Sequence, residues 1–398
     1  MIRLLIGGSP CTHWSIAQSK NRETQPSGIG WELFHNYEIA MQKFKPDYFL
    51  YENNVSAAAP IKAAIKASLG VDAGTAEYIE INSALVSAQT RKRFYVHNIP
   101  NVKQPNDRGI LLKDIIDGGK SFLDKAYALT TRCNGAIPSD TFKRHRHTMI
   151  AEPVMYQIPR GYNCGGIKSG KAPTVTSHSY EQNNFVVEPT TWNEKRIRML
   201  VEKYGYLPQI FNLYNLAEIV DKSPTITAAV ANNNTSSDIR IVQSIREVAD
   251  DMELFAVDGG KIYIKGCAYP VNLPNGLYQI RKLTVAECRK LQTVPEWYQM
   301  PCSMTQNFKM LGNGWTVEVI KHILKSIPEI QSGAAVEVLS MYDGMSCGQI
   351  ALREIGANIV KYGATEIDKF CIQTTQTNFP DTIQLGDAFN VREQSMTF

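Results

Sequence analysis

The chain contains no run of about 18 apolar residues, so nothing in it suits a membrane-spanning helix. It has no Gly-Lys-Ser/Thr signature, which disfavours a phosphate-loop nucleotidase. Eight cysteines fall at positions 11, 133, 164, 267, 288, 302, 347 and 371, and no two of them show metal-ligand or redox spacing. Zinc and disulfides are therefore not expected, and cysteines other than Cys11 read as small buried hydrophobes. There is no strong excess of charge: the net value is +4, which permits a polyanionic partner without requiring one. The opening Met1-Ile2-Arg3-Leu4-Leu5-Ile6-Gly7-Gly8 is too short for a signal peptide and reads as a buried strand, so a cytoplasmic location is expected.

What is present is ordinary for a globular protein: 398 residues, 43% apolar and 20% charged, enough for one large domain or two medium ones. Over the first hundred residues strands alternate with helices. Leu4–Ile6 runs into Gly7-Gly8-Ser9-Pro10, and a polar loop follows from Ser15 to Gly28. Ile29, Leu33, Tyr37, Met41 and Phe44 repeat at helical spacing until Pro46. Asp47–Tyr51, Tyr78–Ile81 and Phe94–Val96 read as strands, with a helix through Ile61, Ile65 and Leu69. From 101 to 280 the pattern gives way to an irregular, β-rich unit with two basic clusters, Lys143-Arg144-His145-Arg146-His147 and Lys195-Arg196-x-Arg198. In it Lys171-x-Pro173-Thr174-x-Thr176 returns as Lys222-x-Pro224-Thr225-x-Thr227. Regularity resumes at 281, where Thr284-x-x-Glu287 is a capping box, and a later helix carries Ile320, Ile323, Leu324 and Ile327 up to Pro328. Residues 328–335 read as a linker, and Val336–Met341, Lys361–Glu366 and Thr382–Leu385 as strands of a final α/β segment, 336–398. The fold class is α/β, with a doubly wound, mostly parallel sheet.

Three strand ends in the first hundred residues carry reactive groups. Gly7-Gly8-Ser9-Pro10-Cys11 places a cysteine at the carboxyl edge of a parallel sheet, where such sheets bind ligands; it is either a nucleophile or a structural thiol. Glu52, in Tyr51-Glu52-Asn53-Asn54, is a general acid or a local cap. In Gln89-x-Arg91-x-Arg93, alternation sets the three side chains on one side, suited to a phosphate or a base oxygen, or to a solvated edge. Near the other end, Asp343-Gly344-Met345-Ser346-Cys347-Gly348 lies between a strand and a helix, and Glu366 and Asp387 end the next two strands. Together these point to an adenosine-bearing cofactor.

These segments resemble the C5-cytosine DNA methyltransferases over nearly all the chain outside 101–280. Gly8-Ser9-Pro10-Cys11 resembles the family's Pro-Cys motif, Glu52-Asn53-Asn54 its Glu-Asn-Val motif, and Gln89-Thr90-Arg91-Lys92-Arg93 its Gln-x-Arg-x-Arg motif. Arg281 to Gln292 resembles the motif after the recognition domain, and Gly312-Asn313-Gly314 with Val317 the one after that. Tyr342-Asp343-Gly344 to Gly348, Glu366-Ile367-Asp368 and Gly386-Asp387 resemble the cofactor motifs, with Ser346-Cys347 where many relatives carry glycine.

Those cofactor motifs usually come first and here come last. Joining Phe398 to Met1 restores the usual order, so the chain resembles a circularly permuted S-adenosylmethionine-dependent methyltransferase fold. Its two ends are then expected on neighbouring strands of one sheet. The expected units are 1–100 and 281–327 (catalytic half), 101–280 (target recognition), 328–335 (linker) and 336–398 (cofactor half).

The resemblance implies that Cys11 adds to C6 of cytosine and Glu52 acts at N3. Asn53 would hold the base edge, and Arg91 and Arg93 the base oxygen or a phosphate. Pro10, Ser15 and Gln89 would lie on the substrate side, with Ser15–Gly28 closing over a flipped base. It implies S-adenosylmethionine as cofactor. Tyr342 and Ile367 would flank the adenine, Glu366 would take the ribose, Asp387 the adenine amine and Asn313 the amino-acid end. Gly344, Ser346 and Gly348 would form the loop. The expected partner is double-stranded DNA, read by a monomer with no metal and no membrane, and a cognate restriction enzyme is a further candidate. A tRNA cytosine methyltransferase, an inactive DNA-binding homologue and a cysteine hydrolase are the competing readings.

Overall fold

In a computed structural model the protein is described for residues 1–10, 13–14, 22–157, 254–264, 267–274 and 276–393, with short strand pieces between 166 and 241. Cys11, Ser15, the 195–198 cluster and both Lys-x-Pro-Thr-x-Thr pieces lie outside the described residues. Among the described residues no helix is long and apolar enough to cross a membrane.

A seven-stranded sheet organises the molecule. Its strands in chain order are β1 (Ile2–Gly7), β2 (Tyr48–Asn54), β3 (Glu77–Asn82), β4 (Lys92–His97), β5 (Ala335–Met341), β6 (Asn358–Thr365) and β7 (Ile383–Gly386). In space the order is β7-β6-β5-β1-β2-β4-β3. From β7 to β2 every pairing is parallel; β4 runs antiparallel to both β2 and β3. Parallel strands need crossovers, and the helices supply them. They are α1 (Ile29–Phe44), α2 (Ala59–Ser68), α3 (Val285–Leu291), α4 (Met304–Asn313), α5 (Val317–Leu324), α6 (Cys347–Glu354) and α7 (Lys369–Asn378).

The central strands are apolar on both sides, and alternation sends their residues to two cores. Leu4, Ile6, Leu50, Val336 and Val338 pack with Ile320, Ile323 and Leu324 of α5 and Ile350 of α6. Leu5, Phe49, Tyr51, Leu339 and Met341 pack on the other face with Phe34, Tyr37 and Phe44 of α1 and Ile61 and Ile65 of α2. Helix α1 closes on Lys45 in the left-handed conformation (φ 49°), its N–H bonded to the Met41 carbonyl, and Pro46 prevents continuation. The capping box of α3 is reciprocal: Thr284 Oγ1 accepts from Glu287 N at 3.1 Å and Glu287 accepts from Thr284 N at 2.7 Å. Between β4 and α3 the chain forms a second, antiparallel sheet around Met149–Gln157, Gly276–Lys282 and Leu254–Asp258, with its own small core of Phe255, Val257, Ile262 and Tyr278.

Two expectations are corrected. The terminal strands β1 and β7 share the sheet but are not neighbours: β5 and β6 stand between them. The sheet grows in both directions from the β5–β1 pair, so the strand that ends the chain lies on an outer edge. Arg3 and Arg392 nevertheless each contact the carboxyl end of α1. Arg3 reaches the carbonyl of Phe44 at 3.2 Å, and Lys43, one residue earlier on α1, reaches the carbonyl of Arg392 at 3.1 Å. The segment 328–335 is not an open linker either: Pro328–Gln331 is a helical turn with Ile330 buried, and Glu329 accepts a hydrogen bond from Tyr48. Proline at the first position of a helix starts it rather than stopping it.

Candidate active site

Strands β1, β2, β5, β6 and β7 all end on one edge of the sheet, and β4 begins there. Glu52, near the end of β2, is 8% exposed. Its carboxylate is held at both oxygens: Arg93 Nε lies 2.9 Å from Oε1 and Trp315 Nε1 lies 2.9 Å from Oε2. The antiparallel register delivers Arg93 by setting it opposite Asn54, two residues beyond Glu52. The turn after β1 presses on the same residue. A β-carbon at Gly8 would stand 2.6 Å from the Glu52 carbonyl oxygen and 3.0 Å from Oε2, so only glycine lets the chain leading to Pro10 come this close.

Asn53 alternates to the opposite face and is 1% exposed. Its amide donates to the Ser9 carbonyl at 3.0 Å and to the Tyr51 hydroxyl at 3.1 Å, and Ser9 Oγ lies 2.7 Å from that hydroxyl. Burial pushes the Tyr51 phenol far above its usual range, so the group stays a neutral hydrogen-bonding partner. Asn53 thus grips the turn before Pro10, which is exposed, rather than presenting its amide to a ligand. Just beyond, Trp14 is fully buried. Its indole donates to Glu23 Oε2, which also accepts from Gly30 N at the start of α1.

Gln89 and Arg91 are not directed at an open site. Gln89 is wholly buried; its amide donates to the Leu291 carbonyl and Gln292 Oε1, and its oxygen accepts from Leu129 N. Arg91, 4% exposed, donates to the carbonyls of Leu129, Gly312 and Gly314. The alternation expected of an unbroken strand fails because Gln89–Thr90 and Lys92–His97 are separate strands, with Arg91 at the break. Buried amide and guanidinium groups need several partners, and the backbone here provides them. Arg93 is the one that pairs with Glu52 among the described contacts.

At the ends of β5, β6 and β7 the backbone sets the shape. Tyr342, Gly344 and Ser346 all have positive φ (61°, 58° and 56°), as does Gly386 (74°). Gly344 N donates to Glu366 Oε2 at 2.8 Å, while Glu366 Oε1 accepts from the N–H groups of Ile367 and Asp368. Ile367 is 73% exposed. Asp387 caps the following turn through Phe389 N. Tyr342 donates its hydroxyl to the Leu33 carbonyl of α1. Ser346 is buried, bonded to Asp343 and Thr375. Gly348 packs closely on β1: a β-carbon there would push against the end of the Ile6 side chain. Burial raises the Asp343 carboxyl to about 6, against donation from Ser346 and Tyr362.

The two groups are contiguous. Asn313, exposed at the end of α4, is followed by Gly314, whose β-carbon would meet Cys347 Sγ at 3.2 Å, and then by Trp315 on Glu52. Sequence reading missed Trp315, Ser9, Tyr51 and Asp343 as parts of this edge. Asp343 lay inside a noted glycine segment, but nothing near Trp315 signals a partner 263 residues away. Of the first basic cluster, Arg144 pairs with Asp140, His147 bonds Asp140 and Thr130, and Lys143, His145 and Arg146 are exposed.

The chain is 24% identical to the orphan methyltransferase M.SPRI of Bacillus phage SPR, in an alignment that covers 81% of this chain and 82% of the relative. The family model for C-5 cytosine-specific DNA methylases matches residues 1–329. The chain belongs to the C-5 cytosine-specific DNA methylase family and is a DNA (cytosine-5-)-methyltransferase.

Proposed function

We propose that the protein methylates C5 of a cytosine flipped out of double-stranded DNA, at a specific short sequence, through a covalent bond between Cys11 and C6. The observation that carries this reading is the Glu52 carboxylate, held by Arg93 and Trp315 against the Gly8 turn that leads into Cys11. C5 of cytosine is a poor nucleophile, and thiolate addition at C6 places electron density on it. Glu52 protonates or hydrogen-bonds N3, so the ring accepts the addition. Arg93 holds Glu52, Asn53 holds the Ser9 turn, and Arg91 and Gln89 brace the surrounding backbone. Loss of the C5 proton and expulsion of the Cys11 thiolate then restore the ring. A base inside a duplex is out of reach, so flipping is required.

The residues at the other strand ends fit S-adenosylmethionine. A β-carbon at Gly344 would meet nothing within 4 Å, leaving open space beside the loop, and exposed Ile367 offers an apolar face there. Glu366 Oε2 accepts one N–H and keeps a lone pair for a ribose hydroxyl. Tyr342 would lie on the other side of the adenine, Asp387 at its amine and Asn313 at the amino-acid end. Gly344, Ser346 and Gly348 fix the loop. The cofactor supplies an electrophilic methyl group when bound.

We further propose that the sheet is a circularly permuted, doubly wound methyltransferase fold. Its support is the motif order in the sequence, with Arg3 and Arg392 each contacting the carboxyl end of α1. A chain restarted at Gly333 with Phe398 joined to Met1 should fold and methylate. For the reaction itself, bisulfite sequencing of DNA from expressing cells reports activity and target site together. DNA containing 5-azacytosine should trap the wild type covalently and leave Cys11→Ala free; an equal adduct with both refutes the nucleophile.

A further inference from the structure

We infer that Trp315 is a positioning residue for Glu52; this rests on the reaction proposed above. The indole N–H donates to Glu52 Oε2 at 2.9 Å, while Arg93 holds Oε1 at the same distance. A carboxyl held at one oxygen can pivot about that bond. A hydrogen bond on one oxygen and an ion-pair partner on the other, from separate parts of the chain, restrain its plane as well as its place.

Trp315 can do this because its own backbone is braced. It lies in the short connection between α4 and α5. Arg91 donates to Gly312 O and Gly314 O, and Gln292 donates to Leu311 O at 2.6 Å and Gly314 O at 3.1 Å. Thr316 donates to Gln292 Oε1 and lies 2.8 Å from Ser83 Oγ. The buried arginine and glutamine thus act at a distance: they hold the platform from which the indole reaches the acid. Asn313, the last residue of α4, adjoins this connection, so one braced stretch of chain runs from the proposed cofactor side to the carboxyl.

The test uses the full-length enzyme and Trp315→Phe, which keeps most of the ring and loses the donor. Without cofactor, thiolate addition to C6, uptake of a solvent proton at C5, loss of the original one and expulsion of the thiolate exchange the C5 hydrogen of cytosine in duplex DNA. Trp315→Phe should slow this exchange, and kcat for methylation, about tenfold to a hundredfold. KM for DNA should stay within about threefold, as expected of a transition-state effect. The chain has five tryptophans, so a ¹⁵N-indole spectrum is simple to assign by that substitution, and Glu52→Gln should move the Trp315 signal alone. Exchange at the wild-type rate in Trp315→Phe overturns the inference. So does a loss matched by a lower melting temperature and a raised KM, which marks a structural role. If the wild type neither exchanges nor methylates, it is the proposed reaction that fails, while the indole shift still reads the contact.

Discussion

At the ends of β1, β2 and β4, polar side chains hold one another: Arg93 and Trp315 on Glu52, Asn53 and Tyr51 on Ser9. At the ends of β5, β6 and β7, positive φ angles and backbone N–H groups do the shaping, with Glu366 bonded to three of the latter. The first arrangement suits a group that must be aimed within tenths of an ångström during a reaction. The second suits close approach to a bound nucleoside, where the backbone itself is the contact surface. Substitutions on the two sides should therefore fail in different ways, in rate on one and in binding or pH response on the other.

The largest effect is expected from Glu52→Gln, which should lower kcat by about 10² to 10⁴, or ~3–5 kcal/mol, in single-turnover methylation. Next, Arg91→Met should destabilise folding by about 4 kcal/mol in denaturant unfolding, since three buried carbonyls lose a donor. Arg93→Met, two residues on, should instead lower the rate with little change in stability; equal behaviour of the two would erase the distinction drawn here.

Third comes Asp343→Asn. The Asp343 carboxyl is raised by burial from 3.8 to about 6, so the folded state holds its proton where the unfolded chain has lost it. The resulting stability is fully present below about pH 4 and is lost as pH rises through 6. The advantage of wild type over Asp343→Asn should shrink by about 3 kcal/mol between those limits, followed by melts across that range. The smallest effect belongs to Gly344→Ala, about 1 kcal/mol from the strained φ of 58°. It should weaken cofactor binding in calorimetry more than it lowers the melting temperature.

Much of this was legible in the sequence where signals are local. The glycine turn after β1, the α1 helix ended before Pro46 and the Thr284–Glu287 box depend on residues a few positions apart, and all three stand in the fold. Side-chain targets across the molecule were not legible. Gln89 and Arg91 carried the right motif but face inward, because the strand breaks at residue 91. Trp315 gave no signal, since a hydrogen bond between residues 263 apart leaves no periodicity. Sheet order misled the expectation for the chain ends: neighbours in a joined sequence need not be neighbours in a sheet that grows both ways.

That order has a consequence for how the protein is born. Strand β1 is buried on both faces, and its register partner Val338 lies 334 residues downstream of Leu4. At a synthesis rate of about 5–20 residues per second, the flank of β1 stays bare for tens of seconds after it leaves the ribosome. One flank of the sheet is thus added last, by some sixty residues that extend it outward from the edge of β1. Until they arrive β1 is an edge strand, and a nascent chain must keep that edge out of reach of other strands.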